Sequence, residues 1–134
     1  MGIKILFLYP NTFGMNMLPP AIATFSAILK NQGHQVQVFD TTYYAIDFGI
    51  DSDGSKEDRL SVVPYSKEMA KKDLRINDVN WKEDLHKKVN EFRPDLLALS
   101  CTEDMWELGI KIIEEIKEYK QKNNIPVVAG GVFP

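Results

Sequence analysis

The chain has 134 residues, enough for one domain around one core. Hydrophobic residues make up 44% and charged residues 26%, the balance of an ordinary globular protein; a net charge of -3 and the lack of a basic stripe interleaved with aromatics argue against a nucleic-acid surface. The single cysteine, Cys101, excludes an intrachain disulfide framework and any all-cysteine zinc or iron–sulfur site.

Residues 3–9 (IKILFLY) form a continuous apolar run, the pattern of a central strand buried on both faces. The run is too short to span a membrane and no signal-peptide cleavage pattern follows it, so the chain reads as cytoplasmic with no membrane partner. Pro19-Pro20 opens a helix, where missing N–H groups cost nothing. Ile22, Phe25, Ile28 and Leu29 form its expected buried stripe, and Gly33 sits where a left-handed C-cap belongs. Gln35–Phe39 (QVQVF) is a short alternating strand. Trp81, Leu85, Val89 and Phe92 mark a second helix that Pro94 ends. Asp95–Ser100 (DLLALS) reads as a buried strand, and Glu103–Lys122 as one long helix with Trp106, Ile110, Ile113 and Ile116 inward. Acidic residues in its first turn and lysines in its last complement the helix dipole. Ile125–Ala129 is a fourth strand.

The order of elements predicts an α/β fold, a doubly wound, flavodoxin-like or Rossmann-like parallel sheet in strand order 2-1-3-4. Residues 1–134 read as one domain interrupted by a charged stretch at about 41–80, a surface excursion or a docking surface for another domain, with small apolar clusters at 43–46 and 62–65. A helix expected after the fourth strand does not follow, so the fold is expected to be truncated at its C-terminal side, and the exposed edge is expected to favour self-association.

In a sheet of this order the ligand crevice lies outside the carboxyl ends of strands 1 and 3. Three segments converge there: the loop Pro10–Leu18 (PNTFGMNML), the Ser100-Cys101-Thr102 turn, and Gly130-Gly131. In the loop, Asn11, Thr12, Gly14 and Asn16 offer hydrogen bonds and backbone freedom, while Phe13, Met15, Met17 and Leu18 add apolar surface. That mixture suits a large ligand with both characters, such as a macrocycle carrying amide arms, and equally a loop that merely packs over the core. Ser100 and Thr102 also fit helix caps, with Ser100 and Glu103 at capping-box spacing, and a Gly-Gly pair alone is usually a turn. Twenty-seven residues lie between Thr102 and Gly130, and the combination at that separation favours a ligand site.

The segments KILFLYP at 4–10, the Pro19-Pro20 helix start, NQGHQVQVFD at 31–40, RPDLLALS at 93–100 and VVAGGVFP at 127–134 together resemble the N-terminal cobalamin-binding domain of radical S-adenosylmethionine enzymes, over nearly the whole chain. In the wider cobalamin-binding fold a Ser-x-Leu turn follows the third strand and a Gly-Gly pair the fourth; Ser100-Cys101-Thr102 and Gly130-Gly131 match that spacing, with Thr102 in place of Leu. The resemblance implies that the nucleotide tail of cobalamin enters beside Ser100 and over the glycines. It implies cofactor contacts from Asn11, Thr12, Gly14, Met15, Asn16, Leu18, Ser100, Thr102, Gly130 and Gly131. Cobalamin domains of the methionine-synthase type carry a cobalt-binding histidine after the first strand, whereas PNTFGMNML has none. The resemblance therefore implies base-off cobalamin with no histidine ligand. The Cys-x-x-x-Cys-x-x-Cys cluster motif of radical chemistry is absent from these residues. S-adenosylmethionine and a [4Fe-4S] cluster are expected only in a barrel domain of the same polypeptide, the implied partner, with methyl transfer or related radical chemistry as the reaction.

Two rival readings follow from the same pattern. A flavodoxin-like FMN-binding electron carrier needs several hydroxyls and a helix N-terminus directly behind them; here Thr12 is the only hydroxyl in the loop and Pro19-Pro20 delays the helix. A response-regulator receiver needs an acidic pair after strand 1 and an aspartate ending strand 3, where this chain has Tyr9-Pro10 and Ser100.

Overall fold

A computed structural model of the chain describes residues 2–12, 18–46 and 79–132. The sheet has four parallel strands in the order β2-β1-β3-β4, as the sequence predicts. They are β1 (Lys4–Tyr9), β2 (Gln35–Asp40), β3 (Leu96–Thr102) and β4 (Val127–Val132). The helices are α1 (Pro20–Asn31), α2 (Trp81–Phe92), α3 (Trp106–Glu115) and α4 (Lys117–Lys122), with a 3-10 turn at Glu103–Met105 leading into α3.

β1 pairs with β2 from Lys4↔Gln35 to Tyr9↔Asp40, and with β3 from Ile5↔Leu96 to Leu8↔Leu99. Its amino end is tied on both sides by side chains. The Ile3 N–H donates to His34 Nδ1 at 3.1 Å, and the Lys4 N–H donates to Asp95 Oδ2 at 2.7 Å. Because side chains alternate along a strand, the register sorts residues between two faces. On one face Leu6, Leu8, Leu97, Leu99 and Cys101 pack with Leu85, Val89 and Phe92 of α2 and with Met105, Leu108, Ile112 and Ile116. On the other face Ile5, Phe7, Tyr9 and Val36 pack with Ile22 of α1.

Local chemistry sets the helix ends. Asn80 caps α2 by accepting the Lys82 N–H at 3.0 Å, and Arg93 ends it in the left-handed region just before Pro94. α1 ends at Gly33, whose φ of 86° permits the paired bonds Gly33 N–H to Lys30 O and His34 N–H to Leu29 O, both at 3.0 Å.

The structure corrects three sequence expectations. α1 buries Ile22 and half-buries Leu29, while Phe25 and Ile28 are 55% and 48% exposed, so only the 22/29 edge of the expected stripe meets the sheet. The expected helix Glu103–Lys122 is three pieces, broken at Ile116, a fully buried β-branched residue with ψ of 19°. Its buried stripe is Met105, Leu108, Ile112 and Ile116: of the expected Trp106, Ile110, Ile113 and Ile116, Ile116 is buried and Ile113 packs half-buried on the core, while Trp106 is exposed; both phases have helical spacing, and packing on β3 selects the observed one. Finally, the first residues of the expected surface excursion, 41–46, pack back on the fold at Thr41, Tyr44 and Ile46, while Tyr43 is exposed. Thr41 is fully buried, Tyr44 stacks obliquely on Phe39 with ring centroids 5.9 Å apart, its hydroxyl donates to Asp84 Oδ2 at 2.8 Å, and Ile46 packs on the core. The apolar cluster at 62–65 lies outside the described residues.

Candidate functional site

At the carboxyl end of β1 the chain runs into Pro10, Asn11 and Thr12, all buried. A polar loop segment can be buried only if its backbone is satisfied, and the first residues after β2 supply the partners. Thr41 Oγ1 accepts the Asn11 N–H at 2.8 Å. Its own proton faces two carbonyls, Asn11 O at 2.8 Å and Tyr9 O at 3.4 Å, and the shorter contact takes it. Asn11 Nδ2 donates to Thr42 Oγ1 at 3.0 Å, and Thr42 is anchored in turn through its N–H and hydroxyl on Asp40 Oδ1. Asp40, Thr41 and Thr42 thus belong to the crevice wall. Sequence reasoning missed them because it assigned Thr41 and Thr42 to the charged stretch; the available signal was a polar Asp-Thr-Thr at the carboxyl end of an alternating strand.

On the other side of the crevice, Ser100-Cys101-Thr102 is not a turn and Gly130-Gly131 is not one either. Both lie inside strands, paired as Ser100↔Gly130, Cys101↔Gly131 and Thr102↔Val132. The buried apolar run on β3 and the small side chains on β4 let the ladder continue past the expected ends, by two residues on β3 and three on β4. The capping alternative is also corrected: Thr102 is the residue before the 3-10 turn, but no side-chain cap bond forms there. Ser100, Thr102 and Gly130 fall on the same sheet face as Tyr9, the α1 side.

The two glycines differ. A Cβ on Gly130 would meet nothing within 4 Å among the described residues, which leave open space next to Ser100. Gly131 has φ of 150°, and a Cβ there would overlap the Cys101 carbonyl. Gly131 is therefore glycine for strand pairing, whereas nothing in the strand pairing requires glycine at 130.

Two hydroxyls at this edge have no hydrogen-bond partner among the described residues: Thr12 Oγ1, in a residue 2% exposed, and Thr102 Oγ1. An unsatisfied buried hydroxyl costs free energy that a bound polar group or water would recover. Leu18 is exposed at the start of α1, and Gly14, Met15 and Asn16 lie outside the described residues. The structure therefore brings Asn11, Thr12, Ser100, Thr102, Gly130 and Gly131 to one edge and leaves the rest of the loop unassigned.

Burial, and secondarily the charge of Asp40, raise the pKa of Tyr9, so its phenol stays neutral. Burial likewise raises that of Cys101, which packs in the core as a thiol. His34 binds the amino edge of the sheet, and His86 Nε2 lies 3.0 Å from Glu115 Oε1 between α2 and α3. Among the described residues no group of three or more His, Cys, Asp or Glu side chains is placed to hold a metal ion, and no helix is long and apolar enough to cross a membrane.

Compared with solved structures, the fold matches one chain in particular. It is similar to the radical S-adenosylmethionine methyltransferase TsrM from Kitasatospora setae, solved with a tryptophan substrate and an S-adenosylmethionine analogue bound. The TM-score is 0.58 at 20% identity, over 97% of this chain. At that identity the likeness establishes a shared α/β fold. This chain spans 19% of the length of TsrM, so it corresponds to one part of that larger enzyme. No protein-family model matches the sequence, and no curated protein matches it.

Proposed function

We propose that this chain is the cobalamin-binding module of a larger radical S-adenosylmethionine enzyme, with the barrel domain in the same polypeptide and methyl transfer or related radical chemistry as the reaction. The observation that carries the reading is the Ser100↔Gly130 pair, with open space above Gly130 and the unpartnered Thr102 hydroxyl on the same face. The fold likeness to a radical S-adenosylmethionine methyltransferase supports it.

These residues suit a bulky, largely neutral ligand rather than a compact anion. Gly130 leaves room for a flat or tailed group against the β4 backbone. The hydroxyls of Ser100, Thr102 and Thr12 can each exchange a hydrogen bond with an amide or nucleotide group. Bound cobalamin would supply a cobalt centre able to carry a methyl group. The chain's own residues would hold the tail, keep water from the sheet edge and orient the ring toward the partner domain. With both histidines engaged elsewhere, the cofactor is expected base-off with no protein nitrogen on cobalt.

The flavodoxin-like alternative is disfavoured by the start of α1. Pro19 and Pro20 occupy its first positions, neither carries an N–H, and no side chain caps it, so a phosphate would find few of the donors such a loop provides.

The test is reconstitution of the complete encoded polypeptide with hydroxocobalamin, followed by gel filtration and absorption spectroscopy. The parent should retain the corrinoid, and Gly130→Val should lose it with unchanged circular dichroism. The cob(II)alamin form should lack nitrogen hyperfine splitting in its EPR spectrum. Splitting that disappears in His34→Ala or His86→Ala would refute the histidine-free state. Retention of FMN instead of cobalamin would return the flavodoxin-like reading.

A further inference from the structure

We infer that Thr41 is a positioning residue, a latch at the end of β2 that sets Asn11 and Thr12, the residues leaving β1, in their ligand-ready conformation; this rests on the cobalamin reading of the crevice. Three observations carry it. Thr41 is fully buried, and its hydroxyl both accepts the Asn11 N–H and donates to the Asn11 carbonyl, each at 2.8 Å. A single side chain thereby satisfies both backbone groups of one loop residue, as a paired strand would. Thr42, braced by Asp40, holds the Asn11 side chain at 3.0 Å, so the same residue is gripped a third time. The next residue is Thr12, whose buried hydroxyl has no partner among the described residues.

The geometry separates two jobs. Thr12 offers the polar group, and Thr41 fixes the backbone that presents it. A loop fixed before binding does not lose its freedom when the ligand arrives, so the latch acts on affinity as well as on stability. No group on Thr41 needs to reach the ligand.

Thr41→Val keeps the shape and removes the hydroxyl, and with it both bonds that Thr41 makes to the Asn11 backbone. Thr41→Ser keeps the hydroxyl and removes only a methyl. In the complete polypeptide, hydroxocobalamin binding should weaken about tenfold or more in Thr41→Val. In Thr41→Ser it should stay within about threefold of the parent. Amide hydrogen exchange should quicken at Asn11 and Thr12 in Thr41→Val and not in Thr41→Ser. Leu85→Ala, on the opposite sheet face, provides a matched destabilised control that should keep parental affinity below its melting range.

The outcomes separate cleanly. If exchange at Asn11 is unchanged in Thr41→Val, there is no latch. If exchange quickens but affinity stays parental, or falls equally in Leu85→Ala, Thr41 is structural only and the inference is wrong. If the parent itself retains no cobalamin, the reading of the crevice fails, and with it the role assigned here, while the exchange data still report the latch as a fact of the fold.

Discussion

The two faces of the sheet differ. One is closed by α2 and α3, whose Leu85, Val89, Leu108 and Ile112 are buried to the last few per cent within a largely apolar cluster that also takes in Phe39, Phe92 and Met105. Among the described residues the other is covered by α1 alone; Phe25, Ile28 and Val128 stand exposed, and Ser100, Thr102 and Gly130 lie on it. The most deeply buried aliphatic packing and the candidate site residues are thus on opposite sides of the same strands. The closed face can be optimised for packing, and the open face can carry unsatisfied hydroxyls without endangering the fold.

The largest effect should come from the closed face. Leu85→Ala or Leu108→Ala removes a fully buried aliphatic group and should cost roughly 2–5 kcal/mol in urea unfolding, whereas Phe25→Ala on the open face should stay within about 0.5 kcal/mol. Equal losses for the two would erase the distinction. Next, the adjacent glycines should part company: Gly131→Ala should cost roughly 1–3 kcal/mol through a disfavoured φ and collision with the Cys101 carbonyl. Gly130→Ala should leave the unfolding midpoint nearly unchanged, because its Cβ would enter open space. Smaller still, Ser100→Ala should weaken corrinoid binding by about 1 kcal/mol with no matching loss in unfolding free energy. A loss confined to stability would move Ser100 from the ligand's side of the comparison to the fold's.

The smallest expected effect is electrostatic and belongs to the closed face. Glu115 bonds Lys82 at 2.7 Å and lies beside His86. The Lys82 hydrogen bond, against some desolvation and with help from His86, lowers the Glu115 pKa below its ordinary 4.5. A carboxylate whose folded pKa is depressed stabilises the fold above its unfolded pKa, and that contribution is lost as pH falls through the folded value. Glu115→Gln should therefore lose at most a few tenths of a kcal/mol at neutral pH, in keeping with a partly exposed pair. Its stability should then change less than the parent's between about pH 5 and pH 3. An identical acid limb in both proteins would mean the pair contributes nothing.

Much of the fold was legible because periodicity and element order constrain it. The buried run of residues 3–9, the QVQVF alternation and the βα alternation lead to the order 2-1-3-4 that the structure has. The phase of α3 was not legible, since Trp106–Ile110–Ile113 and Met105–Leu108–Ile112 fit a helix equally well and only contact with β3 decides. For the site, the edge was legible and its chemistry was partly so. Small residues at 100–102 and 130–131 marked the place, but a sequence does not say that one glycine faces open space and its neighbour faces a carbonyl. Nor does it show that Thr41 reaches across from a different strand, because hydrogen bonds between residues thirty positions apart leave no local pattern.

The central place of β1 also bears on how the chain folds. Its register partner on one side, Gln35, is 31 residues from Lys4, whereas on the other side Leu96 is 91 residues from Ile5. The entropy of closing a loop rises with its length, so the β1–α1–β2 unit can form before β3 docks, and the late step is the arrival of β3 with its helices. Val36→Ala, within the early unit, should slow refolding, while Leu97→Ala should mainly speed unfolding; stopped-flow chevrons of the two variants would show it. The pairing of Ser100 with Gly130 therefore belongs to the late step, whereas the Thr41–Asn11 bonds belong to the unit that can form first.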